Sequence, residues 1–193
     1  RQLSNSIYSY MLVHSLSGLI YQSIAFFYFA TGFGLLKAYV PSDSYFMCFF
    51  EHYLYGFVTT MLAFFMVTLE FTVSLKRATI VMNWRPKSHS NKLGIKCIIL
   101  ILFIISVLMN AHSLLYRDII INNNHIYRLV SNDFSRTSSY KFAFTLTNTL
   151  RGLVLPIMSL IANIVMTIKY RMHMRKKKNL VNGARIVSQA TSN

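Results

Sequence analysis

Four long apolar runs, roughly Ile7 to Leu36, Phe46 to Leu75, Ile95 to Tyr116 and Phe144 to Ile168, constrain this chain more than any other feature. Each meets or exceeds the ~20 residues with which an α-helix crosses the ~30 Å hydrocarbon core of a bilayer. The bilayer offers the backbone no water, so each run must close its own hydrogen bonds as a helix. The expected fold class is therefore all-α integral membrane, with four antiparallel transmembrane helices.

The chain carries 20 Lys and Arg against 5 Asp and Glu. Such a balance in a soluble protein would point to nucleic acid. Here the basic residues sit in the connections between apolar runs, so nucleic acid is not an expected partner and the lipid bilayer is. Lys76, Arg77, Arg85, Lys87, Lys92 and Lys96 fall in the second connection. The tail holds Lys169, Arg171, Arg175, Lys176, Lys177, Lys178 and Arg185. The first connection has Lys37 alone, and the third spreads Arg117, Arg128, Arg136 and Lys141 over a long loop. Positive charge close to helix ends is retained in the cytoplasm. The second connection, the tail and the N-terminal end are expected inside, and the first and third connections outside.

The bundle is expected over residues 1–178, followed by a polar cytoplasmic segment over 179–193. The chain opens on Arg1 without a signal peptide and ends in a polar stretch. It reads as a fragment of a longer membrane protein, the alternative being a complete small protein with a trimmed terminus. Cys48 and Cys97 fall on opposite sides of the membrane in this topology and cannot pair within one monomer. The first connection, with Pro41, Ser42 and Asp43, is turn-like. The second, with Trp84, Pro86, Ser88 and Asn91, is expected to be partly helical. In the third, which includes Asn122 to Asn124, Ile119, Ile120, Ile121, Ile126 and Tyr127 form a β-hairpin or pack on helix ends.

Cys48-Phe49-Phe50-Glu51-His52-Tyr53-Leu54 opens the second run on its outer side, and Leu75-Lys76-Arg77-Ala78 closes it on the inner side. The fourth run carries Leu155-Pro156, then Asn163, then the basic stretch Lys169 to Lys178, and the first holds Ser15-Leu16-Ser17-Gly18-Leu19. In order and sidedness the chain resembles helices two to five of rhodopsin-like seven-transmembrane G-protein-coupled receptors. The resemblance implies part of a seven-helix bundle, with one helix before this stretch and two after it. It implies a multi-pass protein of the plasma membrane that passes an extracellular signal to a heterotrimeric G protein. It also implies a disulfide at Cys48, whose usual partner in the long outer loop is missing here. Gly18 stands where the family has a sodium-holding Asp, the third run has no Trp, and only Arg77 remains of the acidic-Arg-aromatic triplet. Tyr55 occupies the place where amine receptors have an Asp, so a peptide or chemosensory ligand is implied rather than a monoamine.

Ionisable groups within a span mark function by default. Glu51, His52, Tyr55 and Arg151 are the expected lining of a ligand pocket. The structural alternative is that Arg151 snorkels to the headgroups or pairs with Glu51. Lys76, Arg77, Arg175 and Lys176 are the expected G-protein contacts, the last two also serving as a topology anchor on anionic lipid. Glu70 either locks the inactive state through Lys76 and Arg77 or is satisfied by hydroxyls of a neighbouring helix. Asn163, His14, Asn110 and His112 read as interhelical hydrogen-bonding groups. Pro156 is expected to kink the fourth helix.

No Ser/His/Asp order, paired carboxylates, phosphate loop or metal spacing is present, so neither an enzyme nor a cofactor is expected. The competing class is a four-helix membrane scaffold or channel subunit acting by assembly. It calls for G-x-x-x-G stripes that this sequence lacks.

Overall fold

The computed structural model describes residues 2–33, 44–81, 94–121 and 126–190, with side chains for 7–33, 44–79, 94–121, 126–172, 174 and 175. The expectations for Pro41 to Asp43, for Trp84 to Asn91 and for Asn122 to Asn124 lie outside the described residues, as does the Lys176 side chain.

Four helical stretches are long and apolar enough to cross a membrane: Ile7–Gly32, Tyr45–Thr79, Ile95–Leu114 and Ser138–Met172. The first lies in α1 (Gln2–Gly32). The second combines α2 (Tyr45–Phe49), a π-helical stretch Phe50–Val58 and α3 (Thr59–Val81). The third is α4 (Ile95–Asn110) with a 3-10 turn, Ala111–Leu114. The fourth combines α5 (Ser138–Thr149), a π-helical turn Leu150–Val154 and α6 (Leu155–Ala190).

The fourth helix starts six residues before the expected Phe144, because Thr137 caps it by accepting a hydrogen bond from the Tyr140 N–H. A threonine oxygen satisfies one of the orphan donors of a first turn in this way. The same helix runs on through the basic stretch to Ala190. At ~1.5 Å per residue, the 36 residues of α6 alone extend about 54 Å, well beyond a hydrocarbon core.

Both π-helical stretches have local causes. Pro156 has no N–H and its ring crowds the carbonyl four residues back. The turn before it widens, and the Leu155 N–H reaches back five residues to the Leu150 carbonyl. This widened turn stands where the sequence predicts a kink. In the second span, Gly56 lies directly over the Glu51 carbonyl, and a Cβ there would stand 3.1 Å from that oxygen. Glycine permits the widened register at that point.

α3 is the axis of the fold, packing against α1, α4 and α6. Tyr10 of α1 and Phe65 and Leu69 of α3 form a buried cluster. Val13, Val73, Ile98, Ile99 and Leu102 close around it. In the most apolar window of the second span 44% of residues are buried, against none in the fourth, so the outer helices show mostly bare apolar faces. Polar ties join the spans as well. Thr147 donates to the Met109 carbonyl at 3.0 Å, and the hydroxyls of Ser74 and Ser159 meet at 3.0 Å.

Between the third and fourth spans, β1 (Arg117–Ile121) and β2 (Tyr127–Ser131) form an antiparallel hairpin, one of the two arrangements that the isoleucines suggest, with Ile119 opposite Leu129. Asn132 anchors its base: the backbone N–H donates to the Tyr116 carbonyl and Nδ2 to that of Leu115. Tyr45 meets Tyr127 edge to face, which fastens the hairpin to the start of the second span.

Candidate functional site

Two regions at opposite ends of the second span gather the polar and aromatic chemistry. At the hairpin end, the widened stretch Phe50–Val58 carries Glu51, His52 and Tyr55. Glu51 Oε1 lies 3.4 Å from Nη1 of Arg117, the first residue of β1. The Arg117 guanidinium in turn sits 4.8 Å from the centroid of the Tyr116 ring. Cation and ring attract through the ring quadrupole, so Arg117 is held on two sides.

His52 is 1% exposed. Its Nε2 lies 3.2 Å from the Leu114 carbonyl oxygen, and since a carbonyl only accepts, that nitrogen carries the proton. Nδ1 is then a buried acceptor without a partner among the described residues. Tyr55 stacks on Tyr28 of α1, with centroids 3.7 Å apart and planes within 9°. Phe27 leans on Phe50 at 4.7 Å. On the other side, Tyr140 stacks with Tyr116 and with Phe144. An aromatic collar thus ties α1, the second span, the hairpin and α5 together.

The structure brings Glu51, His52 and Tyr55 onto one widened stretch but gives Arg151 separate company. Arg151 Nη2 donates to Oδ1 of Asn148, one turn earlier on its own helix, at 2.7 Å. The partner of Glu51 is Arg117. The charge pattern alone assigns Arg117 to a loop, and nothing in the sequence shows that the hairpin folds onto the second span. Cys48 is buried at the start of this span.

At the Lys76 end a cleft of about 300 Å³ opens between α1, α3 and α6. Its polar lining includes His14, Glu70, Arg77, Ser159 and Asn163. His14 Nε2 lies 2.9 Å from Glu70 Oε1. Glu70 therefore joins the second span to the first through an imidazole. This is neither the lock to Lys76 and Arg77 nor the hydroxyl partner that the sequence suggests. Lys76 instead donates to the Tyr10 hydroxyl at 3.0 Å, with its ammonium 4.5 Å from that ring's centroid. Of the expected transducer contacts, Lys76 is bound to α1, Arg77 lines the cleft, and Arg175 is exposed on α6. Pro156 is the second residue of α6, three residues before Ser159 of the cleft lining.

The cleft was not legible in advance. His14 and Asn163 read as isolated polar residues in separate runs, and their meeting depends on the relative depth of three helices. Among the described residues no group of three or more His, Cys, Asp or Glu side chains is placed to hold a metal ion.

No family model matches the chain, and no curated protein matches it.

Proposed function

We propose that this chain is part of a divergent G-protein-coupled receptor, set in the plasma membrane with the hairpin outside and the Lys76 and Arg175 ends in the cytoplasm. The observation that carries the reading is the central place of the second span. It packs against the other three, with Glu51, His52 and Tyr55 at one end and Arg77 at the other. In the resembled family the corresponding helix links the ligand face to the transducer face. Here the link runs through Phe50–Val58, whose widened geometry marks functional segments of helices.

The ligand enters at the aromatic collar, where Glu51 and Arg117 offer both charges beside the Tyr28–Tyr55 stack. A peptide carries both charges and aromatic groups, and a monoamine does not need the arginine. Ligand contact moves the hairpin end of the second span and shifts α3 against α6, where the Ser74–Ser159 contact is the seam. A shift from 1:99 to 99:1 in favour of the active state requires ~10⁴-fold tighter binding to that state. Arg77 and the basic cytoplasmic part of α6, which includes Arg175, then meet the G protein.

The test is guanine-nucleotide exchange on a panel of purified heterotrimers by the full-length protein in lipid nanodiscs. Exchange above empty discs, lost in Arg77→Ala and Arg175→Ala, is the expected result. Failure to accelerate exchange on any heterotrimer, together with ion conductance after reconstitution in planar bilayers, would overturn the reading in favour of a channel subunit.

A further inference from the structure

His52 holds a buried polar atom that its contacts leave unused. Its Nε2–H donates to the Leu114 carbonyl, while Nδ1 meets no hydrogen-bonding group among the described residues. Buried polar atoms are almost always bonded, so such an orphan calls for a cause. Aromatic rings wall the imidazole, with Tyr53 edge-on at 4.5 Å and Tyr116 at 5.9 Å. The bond to Leu114 also has leverage. Leu114 ends the 3-10 turn of the third span, and the next two carbonyls, of Leu115 and Tyr116, accept from Asn132 at the hairpin base. Leu114 and the hairpin therefore move together. The Glu51–Arg117 pair and the Tyr45–Tyr127 contact also tie this unit to the second span, but the pair is about one-third exposed and Tyr45 is 54% exposed. The His52 bond is the buried tie of the three.

A neutral imidazole has one N–H donor and one acceptor, whereas an imidazolium has two donors. The closed arrangement supplies an acceptor for Nε2–H and none for a proton on Nδ1. The carboxylate on the same stretch, Glu51, is already engaged by Arg117. The other titratable groups on the elements around His52 are the phenols of Tyr28, Tyr45, Tyr53, Tyr55 and Tyr116, the Cys48 thiol and the His112 ring. α3 adds none before Glu70, eleven residues into the helix. Arg117, next to Tyr116, is a cation and opposes a second positive charge. The closed seam thus fits the neutral ring, and a protonated ring is satisfied only where water or a freed carboxylate reaches Nδ1. Acid opens this seam and base closes it.

We propose that His52 is an acid-sensitive latch: a proton taken up at Nδ1 releases the His52–Leu114 contact and frees the hairpin base from the second span. The Nδ1 lone pair takes the proton from hydronium, water is left behind, and the ring gains one positive charge. No covalent bond between heavy atoms changes. The latch needs neither a ligand nor a G protein, and it stands apart from the receptor reading.

The test uses the full-length protein in lipid nanodiscs, where buffer reaches both faces. Spin labels on Phe33→Cys of α1 and Val130→Cys of β2, at positions 80% and 42% exposed, report the place of the hairpin by pulsed electron resonance, with Cys48→Ser and Cys97→Ser. Histidine changes charge between about pH 8 and about pH 5. Over that range the ratio of a second, longer distance to the first is expected to rise at least about fivefold, the lower end for a buried donor left without a partner. His52→Gln keeps a donor in the place of Nε2–H and does not titrate, so its distances are expected to stay constant. Glu51→Gln and His112→Gln are expected to respond as the parent does. A constant distance in the parent, an equal response in His52→Gln, or a response lost in His112→Gln would overturn the proposal. A second measurement needs no His52 variant: nitrogen-15 spectra of the ring, assigned through the His52–Tyr53 peptide bond, the one His-Tyr pair in this sequence. The Nε2–H tautomer is expected to give way to the doubly protonated ring over the pH range in which the distance lengthens. A ring that stays neutral at the acid end, or that charges while the hairpin stays in place, would sink the latch.

Discussion

Replacing Leu69 by Ala tests the packing on which every other inference about this chain depends. Leu69 is fully buried in the cluster with Tyr10 and Phe65, where α1, α3 and α4 converge. In a water-soluble core, a Leu→Ala change costs about 2–5 kcal/mol, from lost transfer out of water plus the cavity left behind. Helices separated in lipid leave Leu69 in hydrocarbon, as apolar as the core itself, so the transfer part cancels. The cavity part remains. Three missing heavy atoms leave about 80 Å³ if neighbours do not relax, and at ~24 cal/mol per Å³ the loss is about 2 kcal/mol. The assay is reversible unfolding in bicelles by steric trapping, which reports dissociation of helices without removing them from lipid. Leu160→Ala on the bare face of α6, where Leu160 is 59% exposed, serves as the reference and is expected to change stability by less than about 0.5 kcal/mol. Equal effects at the two positions would refute the central place of α3. A loss well above 4 kcal/mol at Leu69 would show that water, not lipid, surrounds the separated helices.

Other contacts carry smaller expected effects in the same assay. Thr147→Val removes the hydroxyl that donates to Met109 across two spans and is expected to cost about 0.6 kcal/mol, the average of such bonds in membranes. Ser74→Ala and Ser159→Ala should be non-additive in a double-mutant cycle, with a coupling of about 0.6 kcal/mol, and strict additivity would remove that seam. The Glu51–Arg117 pair is about one-third exposed on each side, so Arg117→Ala is expected to cost no more than about 1 kcal/mol, read as a small shift that added salt erases.

What the sequence made legible follows from interactions that are local along the chain. The four apolar runs announce themselves through length and hydrophobicity, whereas the isoleucines of the third connection leave a hairpin and packing on the helix ends equally open. Thr137 as the cap of α5 was missed because the apolar signal begins only at Phe144, six residues later. The widened stretches at Phe50–Val58 and Leu150–Val154 are changes of hydrogen-bond register, which hydrophobic pattern does not encode. Pro156 did mark one of them, since its ring must be accommodated somewhere. The pairs His14–Glu70 and Arg117–Glu51 join residues 56 and 66 positions apart, and each depends on how deep two elements sit against one another. Depth is a tertiary quantity, and it is set here by the buried faces of Tyr10, Phe65 and Leu69.

Sidedness is the claim that both the ligand face and the transducer face require. It is tested most directly by thiol labelling of intact cells expressing the full-length protein with Cys48→Ser and Cys97→Ser. One version carries Val130→Cys on β2, where the residue is 42% exposed, and another Met174→Cys on α6, where it is 47% exposed. The account predicts that an impermeant reagent labels Val130→Cys in intact cells and Met174→Cys only after permeabilisation. The opposite order, or equal labelling of both from outside, would contradict it.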